Sequence, residues 1–121
     1  MDQTEFESLV RESLDSLPKK IAERLNNVEV MVDVWPDEEE LRAGNIKPGM
    51  TLFGLYRGVP QTHRINYNAA IPDNITIFMG PFLSIFGDNR LLLKQEVKKT
   101  VLHEIGHHFG MSDEEIRAAG K

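Results

Sequence analysis

His103-Glu104-Ile105-Gly106-His107-His108-Phe109-Gly110-Met111-Ser112-Asp113 is the stretch on which the reading of this chain turns. His103 and His107 are four residues apart, so on a helix both imidazoles leave one face about a turn apart and can meet a single ion. Glu104 stands about 100° round from His103, placed to reach a water beside such an ion and poorly placed to bind the ion itself. A catalytic zinc takes three protein ligands and keeps one position open for water. Gly110 supplies the helix ending that favours glycine, and Asp113, three residues on, can swing back beneath the ion as the third ligand. A second reading of Asp113 stays open. As the first residue of a following helix its carboxylate is favoured by the helix dipole, whatever else it does. Glu114 and Glu115 share that second reading more fully and are weaker ligand candidates.

In a chain of this composition His-Glu-x-x-His arises by chance about once in 80 sequences. Requiring glycine seven and aspartate or histidine ten residues after the first histidine lowers that to about one in 10,000. His108 faces away from the pair and reads as a packed or supporting histidine. Met111 reads as an apolar plug under the turn. Glu96, two turns before His103 on the same face, is either a solvated position or a support for a ligand.

Working outward, the motif closes a helix expected from about Asn89 to Phe109, with Asp88 as N-cap. Leu91, Val97, Val101, Leu102, Ile105 and Phe109 form its apolar face. Ser112 and Glu115 have capping-box spacing for a short helix ending near Ala119. Upstream, residues 4 to 25 carry an apolar stripe at helical spacing, interrupted by Pro18, which predicts a kink or two helices joined at Ser16-Leu17. Val28, Val30, Val32 and Val34 alternate with Glu29, Met31 and Asp33, the pattern of a half-buried strand. The acidic run Asp37 to Glu40 reads as a turn or short helix. Further strands are expected at Thr51 to Tyr56 and Ile75 to Met79, and one helical turn at Phe82 to Phe86 between Gly80-Pro81 and Gly87-Asp88. The connection from Arg57 to Asn74 has no clear period and is long for so small a chain, a length that loops with functions often have.

The chain has 121 residues, no cysteine and four histidines. That length predicts one domain, residues 1–121, able to bury a core without staples. The missing cysteines exclude disulfides, thiolate metal sites and a cysteine nucleophile, so any metal is held by nitrogen and oxygen. With 14 basic and 19 acidic residues the net charge is −5, which argues against a nucleic-acid partner and against an anionic membrane surface. The acidic start Met-Asp-Gln-Thr-Glu-Phe-Glu is unlike a signal peptide, and no apolar run approaches a membrane span. A cytoplasmic location is the expectation.

Three segments resemble a known family, the small zincin-like metallopeptidases of bacteria, formerly a domain of unknown function. They are Leu55-Tyr56-Arg57-Gly58-Val59-Pro60-Gln61-Thr62-His63-Arg64, Pro72-Asp73-Asn74-Ile75-Thr76-Ile77-Phe78, and Thr100-Val101-Leu102 followed by the motif to Gly110. The resemblance covers roughly residues 50 to 119. It implies an α+β fold of minimal zincin-like form, with a small mixed β-sheet backed by the N-terminal helices and a long active-site helix. It also implies that His103, His107 and Asp113 are metal ligands and that Glu104 is the catalytic base.

The function so implied is hydrolysis of a peptide or protein substrate by a zinc-activated water, with Glu104 as general base and then acid. Other divalent transition metals suit the same ligands. His63, Arg64 and Tyr67 are candidates for holding the substrate or its oxyanion, each with an alternative as a loop anchor or surface residue. An extended peptide can pair with an edge strand, for which Thr51 to Tyr56 is the candidate. Two other readings stand beside this one. One is a metal-dependent ribonuclease-like hydrolase, against which Glu104 and the −5 charge both count. The other is a metal-binding module without turnover, which a fourth protein ligand such as His63 would favour.

Overall fold

The computed structural model describes residues 1–46, 51–57, 73–108 and 110–119, and within these the side chains of all but Asn27, His107, His108 and Asp113. The N-terminal stripe forms two helices, α1 (Gln3–Asp15) and α2 (Lys19–Arg24), separated where Pro18 cannot continue an α-helix. Asp2 caps α1 by accepting the Glu5 backbone N–H at 2.8 Å. A single 3-10 turn (Leu25–Asn27) leads into β1 (Val28–Asp33), whose valines face the core while Glu29, Met31 and Asp33 are exposed.

The acidic run is a helix, α3 (Glu38–Ala43), fixed by a reciprocal capping box between Asp37 and Glu40. Strand β2 (Gly54–Arg57) and strand β3 (Asp73–Phe78) follow. Two helices packed against the sheet come next, α4 (Met79–Phe86) and α5 (Arg90–His108), and α6 (Asp113–Ala119) ends the described chain.

The sheet has three strands in the order β1-β3-β2. β1 runs parallel to β3, with Val30 opposite Ile75, and β2 runs antiparallel, with Tyr56 opposite Ile75. One face carries the main core. Phe6, Leu9 and Val10 of α1 meet Ile75 and Ile77 of β3, Phe82 of α4, and Leu93, Val97, Val101, Leu102 and Ile105 of α5. The opposite face holds a smaller cluster of Leu52, Leu55 and Phe78, against which Leu41 of α3 and Ile46 pack. The architecture is α+β, with a small mixed sheet backed by α1 and the long helix α5.

Helices α1 and α5 are tied by polar contacts as well as by apolar packing. The buried Ser13 hydroxyl lies 2.9 Å from the Leu9 carbonyl oxygen and 3.2 Å from that of Lys94, so its one proton is shared between the two helices. Nearby, Arg90 forms an ion pair with Glu12.

Five expectations from sequence are revised. The N-cap of α5 is Asn89 and not Asp88, its Oδ1 accepting the Leu92 N–H at 3.1 Å, because the helix starts one residue later than expected. Pairing in the second strand begins at Gly54 and not at Thr51, and Leu52 is buried without being part of the ladder. The third strand begins at Asp73 and ends at Phe78. Its central place gives Asn74 partners on both sides, Glu29 and Arg57, and the pairing outweighs the turn preference of these residues. Gly80 and Pro81 lie inside the first turn of α4, where proline loses no hydrogen bond. The Gly80 N–H instead reaches the Val34 carbonyl at 2.7 Å and fastens α4 to the chain just beyond β1. Leu91 is 68% exposed, and Leu93 takes the corresponding place in the core. Leu91 shares a helix face with Leu102 but sits about three turns earlier, beyond the reach of the seven-residue α6. Among the described residues no helix is long and apolar enough to cross a membrane.

Candidate metal centre and the cleft beside it

The buried stripe of α5 leaves the opposite side of that helix for the motif. His103 is exposed, while Ile105 and Gly106 are buried. By helix geometry Glu96, His103 and His107 fall within about 40° of one another, with Thr100 at the border of that face. Thr100 marks where the face meets the sheet, because its Cγ2 lies 2.9 Å from the point a β-carbon on Gly54 would occupy. Glu104, half-buried, follows Thr100 by one turn on the side nearer β2.

The other border is made by the chain reversal after α5. Gly110 has φ +71°, the left-handed conformation that glycine adopts without cost. The Met111 N–H donates to the Gly106 carbonyl at 2.8 Å, the six-to-one bond of a Schellman ending. Ser112 then caps α6. Its hydroxyl accepts the Glu115 N–H at 3.1 Å, and the Glu115 carboxylate accepts the Ser112 N–H at 3.2 Å. The cap of α6 is therefore Ser112, and Asp113 is the first residue inside the helix.

Ile116 packs onto the bare backbone of Gly106, its Cδ1 only 2.5 Å from where a β-carbon would stand. Gly106 belongs to the turn of α5 that runs from His103 to His107, so the first turn of α6, Asp113 to Ile116, lies against that turn.

A cleft of about 420 Å³ opens between these two borders. Leu102 and Ile116 form its apolar floor, and Glu96, Lys99, Thr100, His103 and Arg117 its walls. Lys99 lies 3.4 Å from the Glu96 carboxylate. Arg117, in the last turn of α6, forms no ion pair among the described residues.

The structure thus gathers His103 and Glu104 with the backbones of His107 and Asp113 at one end of α5. Among the described residues no three His, Asp or Glu side chains converge as a metal site. The predicted set draws on His107 and Asp113, whose side chains lie outside that description. His63, Arg64 and Tyr67 also lie outside the described residues. Glu96 lines the cleft and pairs with Lys99, which makes it a wall residue. Sequence reasoning did not single out Lys99, Thr100 and Arg117. Positions 99 and 100 share the His103 face by helical spacing, which is a usable signal. Arg117 is brought there by the packing of α6, which spacing alone does not show.

A mixed sheet backed by a long helix that ends in His-Glu-x-x-His defines a small zincin-like protein. The chain belongs to the Zincin-like metallopeptidase family, whose model matches residues 25–121. Among solved structures it is similar to a conserved hypothetical protein from Thermo thermophilus, with a TM-score of 0.57 and 23% sequence identity, over 90% of this chain and 94% of that one. That likeness is one of fold. No curated protein matches the chain.

Proposed function

We propose that this protein is a zinc-dependent peptidase, with His103, His107 and Asp113 as metal ligands and Glu104 as general base and acid. The observation that carries the reading is the seating of Ile116 on Gly106, which lays the start of α6 against the turn bearing both histidines. The donor chemistry fits. Two imidazoles and a carboxylate suit zinc and leave a position open, whereas a thiolate site is excluded by composition. Ser112 fills the capping role, so Asp113 is not needed as the N-cap, and its carboxylate starts the helix that is laid against the histidine turn.

When bound, zinc supplies Lewis acidity, polarising the scissile carbonyl and making water acidic enough to attack at neutral pH. The Glu104 carboxylate takes the proton of the attacking water and passes it to the leaving amine nitrogen. Among the described residues strand β2 is an edge of the sheet and packs at Gly54 against Thr100, a residue of the cleft wall, so its outer side offers backbone groups to an extended substrate. His63, Arg64 and Tyr67 remain the candidates for holding the oxyanion.

The test is zinc content and cleavage of an unbiased peptide library by the native chain, Glu104→Gln and Asp113→Ala. Glu104→Gln is expected to keep zinc and to lose at least about a hundredfold in turnover, and Asp113→Ala to lose zinc. Cleavage that survives Glu104→Gln would remove Glu104 from its role. Full zinc occupancy of the native chain without cleavage of any peptide would favour a binding module.

A further inference from the structure

The cleft beside His103 has a chemical character of its own. Its described lining is mostly hydrocarbon, with Leu102 and Ile116 at the floor and the stems of Lys99 and Arg117 along the walls, so the space favours an apolar group. Among the described residues its rim carries two cations, Lys99 and Arg117, against one carboxylate, Glu96. Glu96 is already engaged, with Lys99 at 3.4 Å. Arg117 is left as the cation without an ionic partner among the described residues, at the edge of an apolar pocket. The rest of the molecule makes this stand out, because the chain as a whole carries −5. A cation at the mouth of an apolar pocket draws an anionic group to that place. A guanidinium also matches a carboxylate better than any other common partner, through two parallel N–H donors.

We propose that Arg117 binds a carboxylate of the substrate, so that the preferred substrate places an apolar stem over Leu102 and Ile116 and a negative group beyond it. The proposal rests on the peptidase reading and narrows its substrate class. Arg117 acts in selection, and the bond-breaking chemistry stays with the groups around His103. A carboxylate can come from the end of a peptide chain or from an acidic side chain. The recognition is the same, and the source is set by experiment.

Three N-acetylated probes separate the cases: a peptide ending in leucine as the free acid, the same peptide as its amide, and an amidated peptide with glutamate in place of that leucine. Binding to the zinc-loaded chain is measured by calorimetry, and hydrolysis is followed in parallel. At least one carboxylate-bearing probe is expected to bind about tenfold more tightly than the neutral amide. That preference should vanish in Arg117→Gln and return in Arg117→Lys, with zinc content unchanged. Where a probe is cleaved, the change falls on KM and not on kcat. A preference for the free acid identifies a chain terminus, and a preference for the glutamate probe identifies a side chain.

Equal binding of all three probes by the native chain, or a preference that persists in Arg117→Gln, overturns the assignment. A zinc-loaded chain that prefers a carboxylate through Arg117 yet cleaves nothing overturns the peptidase reading and leaves the assignment to Arg117 standing.

Discussion

Ile116 occupies the space that a side chain at position 106 would need: its Cδ1 and Cγ1 lie 2.5 and 2.6 Å from a β-carbon built on Gly106. Alanine is intrinsically better than glycine in a helix by about 1 kcal/mol, but a contact this short forces α6 outward and overpacking of this kind costs about 1–3 kcal/mol. The steric term wins. Gly106→Ala is expected to lower the Tm and to weaken zinc binding together. In a double-mutant cycle Ile116→Val should recover part of both losses, as a favourable coupling of about 1 kcal/mol between the two positions.

Ser112 and Asp113 are neighbours with separable duties. Ser112→Ala removes the hydroxyl that caps α6 and is expected to cost about 1 kcal/mol of stability while a full equivalent of zinc is retained at saturating metal. Asp113→Ala is expected to leave metal-free stability within about 0.5 kcal/mol and to abolish tight zinc binding. Chemical unfolding with and without chelator, beside metal analysis, tells the two apart. An Asp113→Ala chain that holds zinc as the native chain does would return Asp113 to the role of a helix-terminal carboxylate.

Zinc titration offers a check that needs no substrate. A ligand that binds only the folded chain raises stability by about 2.7 kcal/mol at a hundred times its Kd. Added zinc should therefore raise the Tm of the native chain and of Glu104→Gln alike, and leave that of His103→Ala unmoved. Scanning fluorimetry against metal concentration reads this directly.

Away from the site, Ser13 shares its proton between the carbonyls of Leu9 and Lys94. Ser13→Ala is expected to cost about 1 kcal/mol, and Ser13→Leu more, since the position is buried and closely packed between α1 and α5. Denaturant midpoints measure both, and zinc affinity at saturating stability should not change.

Much of this was legible in the residues because it is local. Pro18 breaks α1 from α2, Asp37 and Glu40 cap α3, the alternating valines give β1, and Ser112 with Glu115 starts α6 one residue later. Apart from the one-residue shift of the α5 cap to Asn89, the misjudged features depend on partners distant in sequence. Asp73 and Asn74 carry turn chemistry and become strand because β1 pairs with both and β2 pairs with Asn74. Leu91 fits the apolar stripe of α5 and is exposed because the elements packed at that level of the helix lie on the side of Leu93. At the site, the spacing from His103 to Asp113 was readable, since it repeats a helical period and a glycine turn. The cleft was not, because its floor joins Leu102 to Ile116 and only folding brings those two together.

The seating of α6 has one more consequence. A helix of seven residues does not hold together by itself in water, and Ile116 is its one buried side chain among those described. If Asp113 binds the ion, α6 has two fastenings, one greasy and one metallic. Stripping the metal then frees the C-terminus long before the α1–α5 half of the protein gives way. The state of the centre becomes visible as susceptibility to clipping near Gly110, so the tail reports metal supply even in a chain whose catalysis has been silenced.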